Sequence, residues 1–128
     1  MVSDQHKPKI VLVEDDAIVS ETLSVALTKA GFDVLRDQDG KQAFELVQRE
    51  QPSIVLLDIR LSDDIDGLDI LRSLKQDEKT KGIPVLMLTN LTDQRLVTDS
   101  VEMGARGYFI KSEMSYDDVV KKVKEIVG

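Results

Sequence analysis

Five apolar segments alternate with five amphipathic segments along this chain, and the apolar segments predict strands. Those at 10–13, 53–58 and 84–89 are nearly unbroken, which is typical of strands buried on both faces of a parallel sheet. The segment at 32–36 alternates apolar and polar residues, as an edge strand does, and the segment at 108–111 is the fifth predicted strand. We therefore expect a five-stranded sheet.

The amphipathic segments carry apolar residues at helical spacing. The first helix is predicted from Val19, Leu23, Ala26, Leu27 and Ala30, and Gly31 ends it. The other helices are predicted from these apolar faces: Ala43, Leu46 and Val47; Leu68, Leu71 and Leu74; Val97 and Val101, in a helix from about 92 to 103; and Val119, Val120, Val123, Ile126 and Val127. Strands that alternate with helices predict an α/β fold, a doubly wound parallel sheet with right-handed crossovers.

Composition fits one acidic domain without disulfides. The chain has 128 residues, a net charge of −7 and a pI of about 4.7, and its length predicts a single domain at 9–128 after a lead-in at 1–8. The acidic balance disfavours direct contact with nucleic acid, which needs clustered Lys and Arg, and docking on an anionic membrane. Cysteines, a membrane-length apolar run and a signal-peptide core are all lacking, so we expect a cytoplasmic protein.

Polar residues stand at the carboxyl ends of four of the predicted strands. They are Glu14, Asp15 and Asp16 after the first strand, Asp58 at the end of the third, Thr89 at the end of the fourth and Lys111 at the end of the fifth. In a doubly wound sheet the binding site lies at the carboxyl ends of the strands, so these residues are expected to meet. Carboxylates crowded there repel each other. A hard divalent cation that prefers oxygen ligands, Mg²⁺ or Mn²⁺, would remove that repulsion.

The same residues predict phosphoryl chemistry. Asp58 can act as a carboxylate nucleophile and become an aspartyl phosphate. Lys111 and the Thr89 hydroxyl can contact phosphoryl oxygens, and Lys111 is expected to contact Asp58 when no phosphoryl group is present. A simpler interpretation of Asp16 is that it only caps the first helix, and the acids at 63, 64 and 66 are expected to be solvated.

Four motifs stand at the strand ends in the order LVEDD, LLD, LT and YFIK. With this order and spacing the chain, from about Lys9 to its end, resembles the receiver domain of two-component response regulators and is similar to the chemotaxis regulators among them. The resemblance implies a flavodoxin-like (βα)5 sheet with strand order 2-1-3-4-5. It also implies that a phosphohistidine on a sensor histidine kinase or a phosphotransfer protein donates a phosphoryl group to Asp58.

The resemblance further implies which residues would bind the cation. Asp15 and Asp58 would bind Mg²⁺ directly, Glu14 would bind it through water, and the backbone carbonyl of Arg60 would be a further ligand.

Thr89 and Tyr108 match the family's switch pair. Thr89 would turn toward the phosphoryl group and Tyr108 would rotate inward, which would change partner binding by the face formed from the fourth helix, fifth strand and fifth helix. A ring that does not move is the alternative for Tyr108. The implied partner is a downstream protein or an output domain in a longer chain, since no room is left for one after the last predicted helix.

Two departures from the family's usual pattern affect the loops. Ser62 stands where proline is usual, in a loop that is longer by one residue, so this loop is expected to be looser. Ser112 follows Lys111 where the family has a proline joined by a cis bond. A cis bond before a non-proline residue costs roughly 2.5–4 kcal/mol, so the Lys111–Ser112 bond is expected to be trans or a strained cis bond.

Two further departures affect the lifetime of the phosphoryl group. Asn90 stands where a small residue is common, and Arg60 and Leu91 occupy positions that flank the path of the attacking water. Leu91 cannot orient a water molecule by hydrogen bonding. We therefore hypothesise slow self-dephosphorylation, which a half-life of seconds would contradict.

Other functions on this fold fit the residues less well. A protein that binds flavin mononucleotide needs hydroxyls and glycines after the first strand, where this chain has VEDDAIVSE, and only 4% of residues are aromatic. A magnesium phosphatase with an aspartate nucleophile usually has a second aspartate two residues later, where this chain has Arg60. The main alternative is a degenerate receiver that binds partners without phosphorylation. Whether the domain should be called an enzyme stays open, since it would promote only its own phosphorylation and dephosphorylation.

Overall fold

Five parallel strands form one sheet with the order β2-β1-β3-β4-β5 in the computed structural model of the protein, which describes residues 7–61, 65–90 and 94–128. The strands are β1 (Lys9–Val13), β2 (Asp33–Asp37), β3 (Ile54–Asp58), β4 (Val85–Thr89) and β5 (Gly107–Ile110). The helices are α1 (Ala17–Lys29), α2 (Ala43–Glu50), α3 (Gly67–Gln76), α4 (Gln94–Glu102) and α5 (Tyr116–Val127). The predicted α/β fold, doubly wound sheet and strand order are confirmed.

Several elements differ in detail from the sequence prediction, and β1, β3 and β4 each begin one residue away from the predicted start. β2 begins one residue later than predicted, and Phe32 packs into the core instead. β5 ends at Ile110, so Lys111 follows the strand. In α4 the buried residue is Ser100, whereas Val101, part of the predicted apolar face, is 49% exposed. The predicted start of this helix near residue 92 lies outside the described residues.

Alternate residues of the interior strands pack into two hydrophobic layers, one on each face of the sheet. The layer under α1 and α5, called the α1–α5 layer below, includes Ile10, Leu12, Ile54, Leu56, Leu86 and Leu88. The layer under α2 and α3, the α2–α3 layer, includes Val11, Val13, Val55, Leu57, Val85 and Met87. All of these side chains are fully buried, and each contributes about 1.5–3 kcal/mol. Packing on both faces explains why β1, β3 and β4 are unbroken apolar runs.

The helices are short, and side chains cap the N-termini of three of them: Asp16 caps α1, Asp66 caps α3 and Ser115 caps α5. Asp16 accepts hydrogen bonds from the amides of Ile18 and Val19 at the start of α1, and Asp66 accepts one from the amide of Leu68 at the start of α3. These caps define where the β1–α1 and β3–α3 loops end. Along the described ranges, no helix combines the length and the apolar character needed to cross a membrane.

Candidate functional site

The carboxyl ends of three strands bring Glu14, Asp58 and Lys111 to one edge of the sheet. Asp58 is the last residue of β3, and the other two each follow a strand but continue its hydrogen-bond ladder by one residue. The Glu14 amide donates to the Asp37 carbonyl at 3.2 Å, and the Lys111 amide donates to the Thr89 carbonyl at 2.7 Å. The backbone positions of both side chains are therefore set by the sheet.

Strand alternation then places the three side chains on one face. Successive residues of a strand point to opposite faces, so residues two apart share a face. The residues two positions earlier all pack into the α1–α5 layer: Leu12, Leu56 and Phe109. Glu14, Asp58 and Lys111 consequently extend that layer, and the polar cluster replaces its apolar contacts at the edge of the sheet.

Lys111 bridges the two buried carboxylates. Its Nζ lies 2.7 Å from Asp58 Oδ2 and 2.7 Å from each Glu14 carboxylate oxygen, and it donates hydrogen bonds to Asp58 Oδ2 and Glu14 Oε2. Glu14 is fully buried and Asp58 is 3% exposed. Two backbone amides also donate hydrogen bonds to these carboxylates. The Asp16 amide donates to Glu14 Oε2 at 2.9 Å, and the Arg60 amide donates to Asp58 Oδ1 at 3.2 Å. The Lys111–Asp58 contact was predicted, and the Glu14–Lys111 contact was not.

These contacts have opposite effects on the pKa of Asp58. Burial raises the pKa of Asp58 from its ordinary 3.8 to about 7, because the carboxylate loses solvation. The hydrogen bond from Lys111 opposes this rise, and the negative charge of Glu14 adds to it. For Lys111, burial alone would lower the pKa, but the hydrogen bonds to Asp58 and Glu14 raise it above 10.5. At neutral pH the lysine is charged while Asp58 is near its midpoint, so a further cation would favour the Asp58 carboxylate.

Asp15 completes an acidic cluster beside a cleft that is open to solvent. One carboxylate oxygen from each of Glu14, Asp15 and Asp58 lies within 4.8 Å of the others. Asp15 is exposed. The cleft has a volume of about 490 Å³ and is lined by Asp15, Asp16, Asp58, Arg60, Leu61, Thr89, Asn90 and Lys111. A ligand that enters from solvent can therefore reach the Asp58 carboxylate.

This donor set fits a hard divalent cation. Mg²⁺ binds oxygen ligands at about 2.0–2.1 Å, so two of its ligands are at most about 4.2 Å apart, which is close to the spacing of the three carboxylates. Glu14 Oε1 is buried and lies 2.7 Å from Lys111 Nζ, but without the geometry of a hydrogen bond, and it accepts none elsewhere in the described part of the chain. It therefore has a lone pair available for a cation or for a water molecule bound to one.

The start of α3 packs against the backbone of Asp58 and Ile59. The amide of Gly67 donates to the Ile59 carbonyl at 2.7 Å, and Arg60 and Asp66 form an isolated antiparallel bridge. A Cβ on Gly67 would lie 2.0 Å from the Asp58 carbonyl oxygen, so a larger residue cannot fit unless the backbone moves. The sequence prediction did not single out this glycine. Its position between an acidic loop and a helical pattern was the available signal.

Thr89 and Tyr108 lie on neighbouring strands with their side chains on the same face. In the β4–β5 register Met87 pairs with Tyr108 and Thr89 pairs with Ile110, so Thr89 and Tyr108 are diagonal neighbours. Thr89 is 1% exposed and lines the cleft, whereas Tyr108 is 43% exposed. Asn90 also lines the cleft and is exposed.

Comparison with known proteins agrees with this geometry. The family model of the response regulator receiver domain matches residues 10–124. The chain belongs to the response regulator receiver domains. It is 32% identical over 120 residues to RpaA of Synechocystis, covering 94% of this chain and 49% of that protein.

Two solved receiver structures superpose on nearly the whole domain. A response regulator of Chloroflexus aurantiacus has a TM-score of 0.87 and 30% identity, and the match covers 95% of this chain and 98% of the other. The BeF3-activated N-terminal receiver domain of Klebsiella pneumoniae RstA has a TM-score of 0.83 and 33% identity, with coverage of 93% and 97%. Membership in this two-component family supports phosphorylation-dependent signalling in general.

This receiver domain spans about half the length of the curated relatives it matches. RpaA is named a DNA-binding dual master transcriptional regulator, and MtrA of Mycobacterium tuberculosis a DNA-binding response regulator. The expectation that the protein makes no direct contact with nucleic acid is therefore not supported by these relatives.

Several sequence predictions concern loops beside the site. No cis peptide bond occurs in the described ranges, so the Lys111–Ser112 bond is trans. Asp16 and Asp66 are exposed helix caps. Leu91, Ser62 and the acids at 63 and 64 lie outside the described residues, and the roles predicted for them stay predictions.

Proposed function

We propose that this receiver domain is a phosphorylation-dependent signalling switch in which Asp58 accepts a phosphoryl group from a phosphohistidine. The donor would be a sensor histidine kinase or a phosphotransfer protein. The observation that carries the proposal is the buried Asp58 carboxylate held 2.7 Å from Lys111 Nζ, in a solvent-accessible cleft beside Asp15 and Glu14. A plain structural ion pair would need neither the cleft nor the additional acids.

In the proposed transfer, an Asp58 carboxylate oxygen attacks phosphorus while the bond from phosphorus to the histidine nitrogen breaks. The electron pair of that bond returns to the imidazole ring, and Asp58 becomes an aspartyl phosphate. Lys111 and the Thr89 hydroxyl would contact the phosphoryl oxygens, whose charge spreads in a loose transition state. Lys111 is well placed for this role because its ammonium group already lies against the attacking carboxylate.

Asp15, Asp58 and the backbone carbonyl of Arg60 would hold Mg²⁺ or Mn²⁺, with Glu14 acting through a bound water. When bound, the cation would offset the negative charge of the carboxylates and of the incoming phosphoryl group. Glu14 also holds Lys111, so its carboxylate would share the lysine with Asp58.

For the switch, we propose that Thr89 turns toward the phosphoryl group and that Tyr108 rotates inward. Their diagonal placement on one face supports this pairing, and the 43% exposure of Tyr108 leaves the ring free to lose exposure. The change would alter partner binding by the surface formed from α4, β5 and α5. The partner would be a downstream protein or a covalently linked output domain. Tuning of the phosphoryl lifetime by Arg60, Asn90 and Leu91 stays a prediction.

Beryllofluoride, which mimics a phosphoryl group, tests this proposal on the protein labelled with fluorotyrosine. The chain has two tyrosines, so fluorine NMR gives one signal for Tyr108 and one for Tyr116, which packs against the α1–α5 layer at the start of α5. With Mg²⁺ present, we expect beryllofluoride to shift the Tyr108 signal and to reduce its access to a solvent probe, because the ring moves inward.

The control variants are Asp58→Asn, which removes the acceptor, and Asp69→Asn, which removes an exposed acid on α3. Asp58→Asn should abolish the response and Asp69→Asn should keep it. If beryllofluoride binds but Tyr108 does not respond, the switch pair is wrong. If nothing binds, the protein is a degenerate receiver that acts without phosphorylation.

A further inference from the structure

We propose that Gly40, in the turn between β2 and α2, is a positioning residue for the phosphorylation site. Its missing side chain leaves the space into which Leu61 packs, and Leu61 in turn sets the shape of the cleft next to Asp58. This inference rests on the proposed function, because it concerns how the same cleft binds its cation and phosphoryl group.

Gly40 is buried, and three side chains of the β3–α3 region surround it. A Cβ on Gly40 would lie 2.6 Å from Leu61 Cδ1, 3.1 Å from Ile65 Cγ2 and 3.3 Å from Ile70 Cδ1. The first distance is far below van der Waals contact, and the other two are tight. The β2–α2 turn therefore touches the loop that follows Asp58 only because residue 40 has no side chain.

Leu61 connects this contact to the cleft. It is 8% exposed, it belongs to the α2–α3 layer and it also lines the cleft beside Asp58. Since that layer is packed, Leu61 cannot move freely inward, and a displaced Leu61 would move toward the cleft. The contact on the Gly40 side therefore determines how much of the cleft Leu61 fills.

The backbone transmits the same constraint to Arg60. This residue precedes Leu61, its amide donates to Asp58 Oδ1, and its backbone pairs with Asp66. The proposed carbonyl ligand of the cation belongs to the peptide that joins Arg60 to Leu61. A shift of Leu61 would therefore reorient this carbonyl as well as narrow the cleft.

The test replaces Gly40 by alanine and uses Gly31→Ala as the matched control. Both glycines have positive φ, +80° at Gly40 and +102° at Gly31, so alanine strains the backbone at either site. A Cβ on Gly31 meets nothing within 4 Å, whereas one on Gly40 meets Leu61. Comparing the two variants therefore separates the effect of backbone strain from the effect of displacing Leu61.

The Mg²⁺ dissociation constant, measured by calorimetry, is the main readout, and the rate of phosphoryl uptake from phosphoramidate is the second. In Gly40→Ala we expect Mg²⁺ binding to weaken about threefold or more and uptake to slow about tenfold, because small misplacements in a reacting site have large effects on rate. In Gly31→Ala both should stay within about twofold of wild type. If folded Gly40→Ala binds Mg²⁺ and takes up the phosphoryl group like Gly31→Ala, the proposal is overturned.

A double-mutant cycle with Leu61→Ala tests the route. If Gly40 acts through Leu61, Gly40→Ala should have little further effect on Mg²⁺ affinity in the Leu61→Ala background, and additive effects would refute this route. If Gly40→Ala does not fold, the Leu61→Ala single variant tests the proposal instead. An unchanged Mg²⁺ affinity in Leu61→Ala would then overturn the proposal. Failure of the wild type to take up phosphoryl groups would instead count against the proposed function, and the Mg²⁺ comparison would still test Gly40.

Discussion

Asp58 combines two properties that a phosphoryl acceptor needs, and each has a separate physical cause. Burial keeps its carboxylate poorly solvated and raises its pKa to about 7, while Lys111 at 2.7 Å supplies a fixed positive charge. A poorly solvated carboxylate has less water to lose when a phosphoryl group approaches. The acid and the lysine therefore lie in contact before any ligand is bound.

Affinity for Mg²⁺ should depend on pH through Asp58. Binding requires the carboxylate, so a proton must leave whenever the pH is below the pKa of about 7. Between pH 6 and pH 8 the affinity should rise about tenfold, because the ionised fraction of Asp58 rises by that factor. Titration calorimetry in two buffers of different ionisation enthalpy measures both the affinity and the proton released.

The residual Mg²⁺ binding of Asp58→Asn should show no such rise, and a flat profile in the wild type would contradict the assigned pKa.

The stability of the folded protein should depend on pH in the opposite direction to its Mg²⁺ affinity. The folded protein holds the Asp58 proton more tightly than the unfolded chain does, so the free energy of unfolding falls as pH rises from 3.8 to about 7.

The sequence identified these residues and the contact between Asp58 and Lys111, but not the contact between Glu14 and Lys111. Glu14 and Asp15 are adjacent acids after an apolar run, and no pattern in the chain tells which of them turns inward. The structure buries Glu14 and exposes Asp15, because alternation along β1 directs Glu14 into the α1–α5 layer. The contact between Glu14 and Lys111 joins residues 97 positions apart, and it depends on side-chain packing that sequence spacing does not encode.

At the scale of elements, the N-terminus of α3 packs directly against the end of β3. Gly67 begins this helix with its Cα against the carbonyl of Asp58, and its amide bonds to Ile59. The hydrogen bond between Gly67 and Ile59 therefore joins the two ends of the β3–α3 loop, and the Arg60–Asp66 bridge is a second contact between them. The position of Asp58 depends on this close approach as well as on the sheet.

Gly67→Ala should destabilise the protein by about 2–4 kcal/mol, because the added Cβ would meet backbone atoms that have no alternative rotamer. Gly82→Ala is the matched control, since a Cβ there meets nothing within 4 Å and its φ is ordinary. The control should change the free energy of unfolding by no more than about 0.5 kcal/mol. Urea denaturation measures both variants, and equal stabilities would refute the close packing at Gly67.

Hydrophobic patterning predicted most elements because each strand or helix buries a face of fixed period. In β1, β3 and β4 every residue is apolar except one at an end of the strand (Lys9, Asp58 and Thr89), because both faces of the sheet are covered. The ends of elements were less predictable. Phe32 has the pattern of a strand residue but packs in the core before β2 begins, and Ser100 is buried in α4 by donating its hydroxyl to the Val97 carbonyl.

At the scale of the whole molecule, topology assembles the site. The strand order puts β1 next to β3, where the chain reverses direction across the sheet, and the carboxyl ends there lie at one edge. Asp58 and the acids after β1 meet at this point, and β5 delivers Lys111 to them from the far edge strand. The general sheet rule was sufficient to predict this meeting. It could not predict the contact between the β2–α2 turn and the β3–α3 loop, because Gly40 and Leu61 have no periodic signal.

The most direct test of the central claim is the intact mass of the protein after incubation with phosphoramidate and Mg²⁺, beside Asp58→Asn and a sample in excess chelator. The account predicts that the wild type gains one phosphoryl group, that chelator prevents the gain and that Asp58→Asn shows none. An unmodified wild type that demonstrably binds Mg²⁺ would contradict the account, and so would a phosphoryl group that persists in Asp58→Asn.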